Sequence, residues 1–273
     1  MVGLPIRRLV ESYYDIQKMR IEAWNRIVNW VRDNRDKVLA IVAKYKDVFG
    51  EGALETLSKE ENRRYAEFCE KYLVKYPEYF PEVKEIVWLW EELLELEKKI
   101  YNKLQYWVKD QALYEEYLKY VSGMGPVLSA GLIAWYSPFS RFSSPSKLWK
   151  YSGLAPGQES YRRRHGVKLN YSPKLKSFVI YRLGMTLLKL NKPFKQLYDE
   201  GKQIFLKKHP NESKLHAHYW ALRRAVKIFL ACVWAVAYKL ETGQEPPTKP
   251  YPIERLGHKD IITPEFFITK RRK

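Results

Sequence analysis

The chain has 273 residues, 46% of them hydrophobic and 15% aromatic, with two cysteines and a formal net charge of +18. That length holds one large or two modest domains with a genuine core. The two cysteines, Cys69 and Cys232, lie too far apart for a CxxC pattern and read as reduced, buried thiols. The longest uncharged apolar run, Ile228 to Tyr238, is about half of the ~20 residues a membrane-spanning helix needs. A soluble, cytoplasmic protein with no membrane partner is expected, and the Tyr, Glu and Lys content suits a thermophile.

The charge is confined to one half. Residues 1–120 hold 21 basic and 22 acidic side chains, whereas residues 121–273 hold 28 and 9. Between Tyr117 and Tyr198 a single acid, Glu159, faces fourteen Lys and Arg. Basicity restricted to one half points to a polyanionic partner for that half alone.

In chain order, residues 6–49 repeat apolar groups at three and four, the spacing of an amphipathic helix. Gly50 and Gly52 are expected to stop it, and Ser58 with Glu61 to form a capping box for the next helix. That helix runs toward Leu73 until Pro77 and Pro81 break it. A third, from about Pro81 to Val108, places Val83, Val87, Trp90, Leu94, Glu97, Ile100 and Leu104 in near-heptad spacing. Residues 1–111 therefore read as a helical bundle or coiled-coil arm, a candidate homodimer seam.

Residues 112–243 read as a second, basic domain. A short helix over Leu113–Val121 leads to Gly123-Met124-Gly125-Pro126 and then a helix over Val127–Trp135. Glycines permit positive φ and close backbone approach, and proline fits the first helical turn. The amides at such a helix start can hold a phosphate oxygen. This layout is that of a helix-hairpin-helix, with Gly123, Gly125 and Val127 as backbone contacts to DNA; an ordinary tight turn between helices is the alternative. Ser144-Pro145 opens a helix carrying Lys147 and Lys150. Residues 158–173 look irregular and hold Arg162, Arg163, Arg164 and Lys168, which suit phosphate oxygens. Two long helices follow, from Pro173, with Lys174 and Lys176, to about Leu190, and from His216, with Arg223 and Arg224, to about Thr242. Tyr151, Tyr161, Tyr171 and Tyr181 interleave with the cations and could stack on unpaired bases. Residues 244–273, proline-rich and then basic, read as an extended tail. No cofactor is called for. His216 and His218, two apart on a helix, point apart and make a poor metal chelate, so no metal is expected.

The ordered series Gly123-Met124-Gly125-Pro126, Ser140-Arg141-Phe142-Ser143-Ser144 and Gly153-Leu154-Ala155-Pro156, with Ala221–Val226 further on, resembles the C-terminal domain of insertion-sequence transposases of the 110/116/902 group, over about residues 113–240. The resemblance implies a domain that binds DNA and a guide RNA and supplies a serine nucleophile, here at Ser160. In that family the N-terminal half is an RNase H-like nuclease that holds Mg²⁺ with carboxylates. The first 120 residues here look like the helical connector between the two halves, with no strand followed by a metal-binding Asp. Tyr161 and arginines stand where the family has glycines after the serine. The expectation is an all-α protein that grips double-stranded DNA through its phosphates, derived from the transposase of a mobile genetic element and lacking the nuclease. Two alternatives stay open: a recombinase component that uses Ser160 with carboxylates from a partner, and a module for structured RNA.

Overall fold

A computed structural model describes residues 3–58, 61–157, 169–248 and 262–269. These residues form helices and turns and no strand, so the protein is all-α. The chain divides into two compact units, Leu9–Lys103 on one side and Met1–Arg8 with Leu104–Lys273 on the other.

The first unit is built on two long helices. α1 (Gly3–Asp33) and α6 (Lys84–Lys109) run antiparallel: Arg20 Nε lies 2.5 Å from Glu97 Oε2, and the rings of Trp24 and Trp90 stand 5.1 Å apart. Glu97, which falls within the apolar series, is buried at this seam. Burial alone would raise its pKa. Hydrogen bonds from Arg20, Gln17 and Tyr13 outweigh that and hold it below the usual carboxylate value. Burial, followed by the bond to Glu97, pushes the Tyr13 phenol up to about 12. A charge buried among apolar neighbours at one position favours the single register in which it is satisfied.

The apolar run over 6–49 is not one helix. It breaks at Asn34 and Tyr45 into α1, α2 (Arg35–Lys44) and α3 (Lys46–Phe49), which fold back to bury Ile27, Val31, Val38, Val42 and Phe49 in one cluster. Gly50 ends α3 at φ 71°. Gly52 stops nothing. It lies inside α4 (Glu51–Ser58), where an added Cβ would stand 3.1 Å from the Tyr72 hydroxyl. The expected capping box is also absent. Ser58 is the last residue of α4 and donates to the Glu55 carbonyl, while Glu61 stands as the cap residue of α5 (Asn62–Phe68) without a side-chain bond.

In the second unit, α13 (Lys214–Thr242) is the axis, with Ala221, Leu222, Ala225, Val226 and Ile228–Ala235 buried. Helix α12 (Lys192–Lys208) packs along it, and Gly201 lets the two backbones approach, since its Cβ position lies 3.6 Å from the Ala221 Cα. No helix is expected over α12, although Phe194, Leu197, Tyr198, Ile204 and Phe205 fall on one helical face interrupted at Gly201. Its start signal is Asn191, whose side chain accepts from the Phe194 amide, with Pro193 in the first turn. The helix expected from Pro173 is α10 (Pro173–Ser177), a π-turn over Phe178–Gly184 and α11 (Met185–Leu190). The π-turn meets α13 so closely that a Cβ on Gly184 would stand 2.8 Å from Val226. Arg7 lies 4.3 Å above the Trp135 ring, which joins the first residues to this unit.

The tail expectation is corrected in part. Phe267 is fully buried with its ring 5.1 Å from Phe229. The Ile262 carbonyl accepts from Cys232 and the Pro264 carbonyl from the Tyr117 hydroxyl at 3.0 Å. A single aromatic plug and these bonds dock residues 262–269 against the core. Both cysteines are buried, and burial pushes the Cys69 thiol up to about 12 and raises Cys232 further. No helix among the described residues is long and apolar enough to cross a membrane.

Candidate nucleic-acid interface

The glycine turn begins after α7 (Ala112–Glu116) and a 3-10 turn over Leu118–Tyr120. It ends at α8 (Pro126–Tyr136), with Gly125 at the cap and Pro126 at the first helical position. The two glycines do different work. Gly123 has φ 93°, and its Cβ position lies 3.4 Å from Leu187 and 3.5 Å from Leu190, so it serves the turn and a close approach to α11. Gly125 does not share the positive φ. Its backbone is extended instead (φ −79°, ψ 175°), it is exposed, and nothing lies within 4 Å of its Cβ position. It leaves open space in front of the helix start.

The amides of the turn can be accounted for one by one. Met124 donates to Val121 and Gly125 to Gly123, each at 3.1 Å, and Ser122 donates to the Thr269 hydroxyl at 3.0 Å. Ser129 makes the first intrahelical bond, to the Gly125 carbonyl. The Val127 and Leu128 amides precede that bond and carry the positive end of the α8 dipole. The Val127 side chain itself is buried, so only its backbone can serve.

The expected cations divide by exposure. Lys147 and Lys150 stand exposed on α9 (Pro145–Tyr151), and Lys174 is exposed on α10. Lys176 departs from its expected role. It is 0% exposed, with its ammonium 5.1 Å above the Tyr171 ring, because residues two apart on a helix face different ways. Arg223 reaches the Ala155 carbonyl at 3.4 Å and Arg224 the Leu197 carbonyl at 3.2 Å, which ties both to the scaffold. Ser160, Tyr161, Arg162, Arg163, Arg164 and Lys168 lie outside the described residues.

The later parts of the motif series do come together. Trp234 donates to the Phe142 carbonyl at 2.9 Å and Trp149 to the Lys227 carbonyl at 2.8 Å, which fixes residues 142–149 against α13. Gly153, at φ 71°, leaves no room for a Cβ, since the Tyr171 ring would stand 2.6 Å away. That contact gives Tyr171 a packing role. Tyr181 is exposed, 6.1 Å from the Tyr219 ring. His216 bonds to Glu212 and His218 to the Tyr198 hydroxyl, so the two imidazoles serve separate contacts.

One pair of basic residues joins this region that sequence patterns do not single out. Leu190, which packs on Gly123, is flanked by Lys189 and Lys192, both exposed. Thr269, which holds Ser122, is followed by Lys270-Arg271-Arg272-Lys273. The sequence sign that residues 262–269 dock is the Phe266-Phe267 pair.

No curated protein and no solved structure matches the chain. Residues 115–199, just under a third of the sequence, match the model of the transposase family IS116/IS110/IS902, so a transposase-family segment runs from the glycine turn through α9 and α10 into α12.

Proposed function

We propose that the protein binds double-stranded DNA through the phosphate backbone, without reading bases, and that it derives from a mobile-element transposase. The observation that carries this reading is the open, glycine-capped start of α8 inside the transposase-family segment. Amides and a helix dipole at such a site select for a phosphate oxygen, and phosphate contacts carry no sequence information. Lys147, Lys150 and Lys174 add exposed positive charge, and Arg162, Arg163, Arg164 and Lys168 supply more in the sequence between α9 and α10. The N-terminal helices serve as an arm, with a second copy of the chain as the candidate partner. Fluorescence anisotropy with mixed-sequence duplexes tests the reading. Binding that weakens steeply with salt is expected. An Arg162, Arg163 and Arg164 to Ala triple variant that binds as tightly as the parent contradicts the electrostatic part.

The segment matched to the family also contains Ser160, which favours a second reading: a recombinase component that attacks DNA through that hydroxyl, with carboxylates from a partner. A covalent protein–DNA adduct that disappears in Ser160→Ala distinguishes it. Competition by structured RNA at fixed salt tests an RNA-binding role.

A further inference from the structure

The outer side of α6 carries large side chains that its own packing does not use. The helix turns Leu93, Glu97, Ile100 and Leu104 inward. On the opposite side Trp88 is 56% exposed and Tyr106 76%. Both belong to one unbroken helix, and their separation is five full turns, so they lie on a single line about 27 Å apart. Leu96, also exposed, stands between them on one flank of that line.

Charge divides the same face at its middle. The exposed glutamates of α6, from Glu85 to Glu95, all precede Glu97. Apart from Lys84 at its start, the exposed lysines, from Lys98 to Lys109, all follow it. Glu95 and Lys99 pair with each other at 2.7 Å across this midpoint. The helix dipole favours acids early and cations late, but only within the end turns. It does not account for Glu92 and Lys103 in the helix body, nor for a tryptophan and a tyrosine on the water side. Turned end for end about residue 97, the face complements itself: Trp88 comes opposite Tyr106 of the other copy, and Glu92 opposite Lys103. A parallel pairing instead sets Glu92 against Glu92 and Lys103 against Lys103, where like charges repel.

We propose that α6 pairs antiparallel with α6 of a second copy of this chain, about a two-fold axis at its midpoint. Trp88 packs on Tyr106 at both ends, Glu92 meets Lys103 on both sides, and Leu96 meets its own copy near the axis. A patch that matches itself in one orientation is what a two-fold dimer requires. The aromatic pairs supply buried area, while the charges between them fix register and direction. The arm suits self-association, because residues 1–120 hold 21 basic and 22 acidic side chains and escape the mutual repulsion of the basic half. This rests on the reading above that a second copy is the arm's partner, and it adds the face and the orientation.

The test is sedimentation equilibrium of the full chain and four variants, each first shown to keep the parent's circular dichroism. Trp88→Ala with Tyr106→Ala, both at exposed positions, is expected to weaken dimerisation at least ~tenfold. Glu92→Lys alone and Lys103→Glu alone each place like charges together at both symmetric contacts, so each is expected to weaken the dimer. The two exchanges combined restore opposite charges and are expected to return the dimer to near the parent's affinity. A dimer indifferent to the double Ala variant, or one that the combined exchange fails to restore, overturns the inference while the second-copy reading stands. A parent that stays monomeric at every concentration overturns both.

Discussion

Exchanging each of the two turn glycines for alanine separates scaffold from ligand contact. Gly123→Ala forces a side chain to φ 93° and sets its Cβ 3.4 Å from Leu187. A non-glycine residue in that region is strained by roughly 1–3 kcal/mol, so a loss of about 2 kcal/mol in unfolding free energy is expected. Gly125→Ala has an ordinary φ of −79° and empty space around the new methyl. Its only folding penalty is a weaker helix cap, below ~1 kcal/mol. The methyl instead enters the open space in front of the helix start, where a phosphate held by the Val127 and Leu128 amides would have to approach. Loss of a charge-assisted hydrogen bond there is worth about 1.5 kcal/mol, or roughly tenfold in Kd. Urea unfolding followed by circular dichroism gives the first quantity and duplex anisotropy the second. The two variants should fail in opposite assays. A Gly125→Ala protein that folds and binds like the parent refutes the role given to the α8 start.

Four further outcomes follow from the same contacts. Phe267→Ala removes a fully buried ring packed on Phe229 and should destabilise by about 3–5 kcal/mol; a loss under ~1 kcal/mol in chemical denaturation would mean the 262–269 segment is not part of the core. Lys176→Met should leave the salt slope of DNA binding unchanged because the side chain is buried, whereas Lys147→Ala should make it shallower by about 0.9. Glu97→Ala strips Arg20 and Gln17 of their buried acceptor and should destabilise by roughly 3 kcal/mol, read from the same denaturation curves. Burial, and then the nearby Lys202 charge, hold the His218 pKa below its usual 6.5. The unfolded chain therefore binds the extra proton first as pH falls, so stability is full above about 6.5 and declines below it. His218→Asn should flatten that part of the melting-temperature profile relative to the parent, and an identical profile would contradict the shift.

Periodicity makes much of the fold legible. α1, α6 and α13 follow from apolar spacing, and α8 from Gly125-Pro126, because these signals are local. What stays hidden depends on partners distant in sequence. α12 is charge-rich with a glycine at its centre, and Gly201 makes sense only once Ala221 and Arg224 are seen against it. Gly52 and Gly201 both sit inside helices, where composition suggests breaks. Lys174 and Lys176 look equivalent as charges, yet helix phase exposes one and buries the other. The tail reads as extended because Pro and Lys dominate it, and one buried Phe267 reverses that for residues 262–269. Lys189 and Lys192 are linked to the turn only through Leu190 of α11, which packs on Gly123, a contact that local sequence does not show.

The most direct measurement is the affinity of the intact chain for several unrelated duplexes between about 50 and 200 mM salt. Backbone capture predicts the same affinity for every sequence and a steep common loss, at least a hundredfold across that range for about five or more phosphates. Binding that ignores salt, or that singles out one duplex under all conditions, contradicts it.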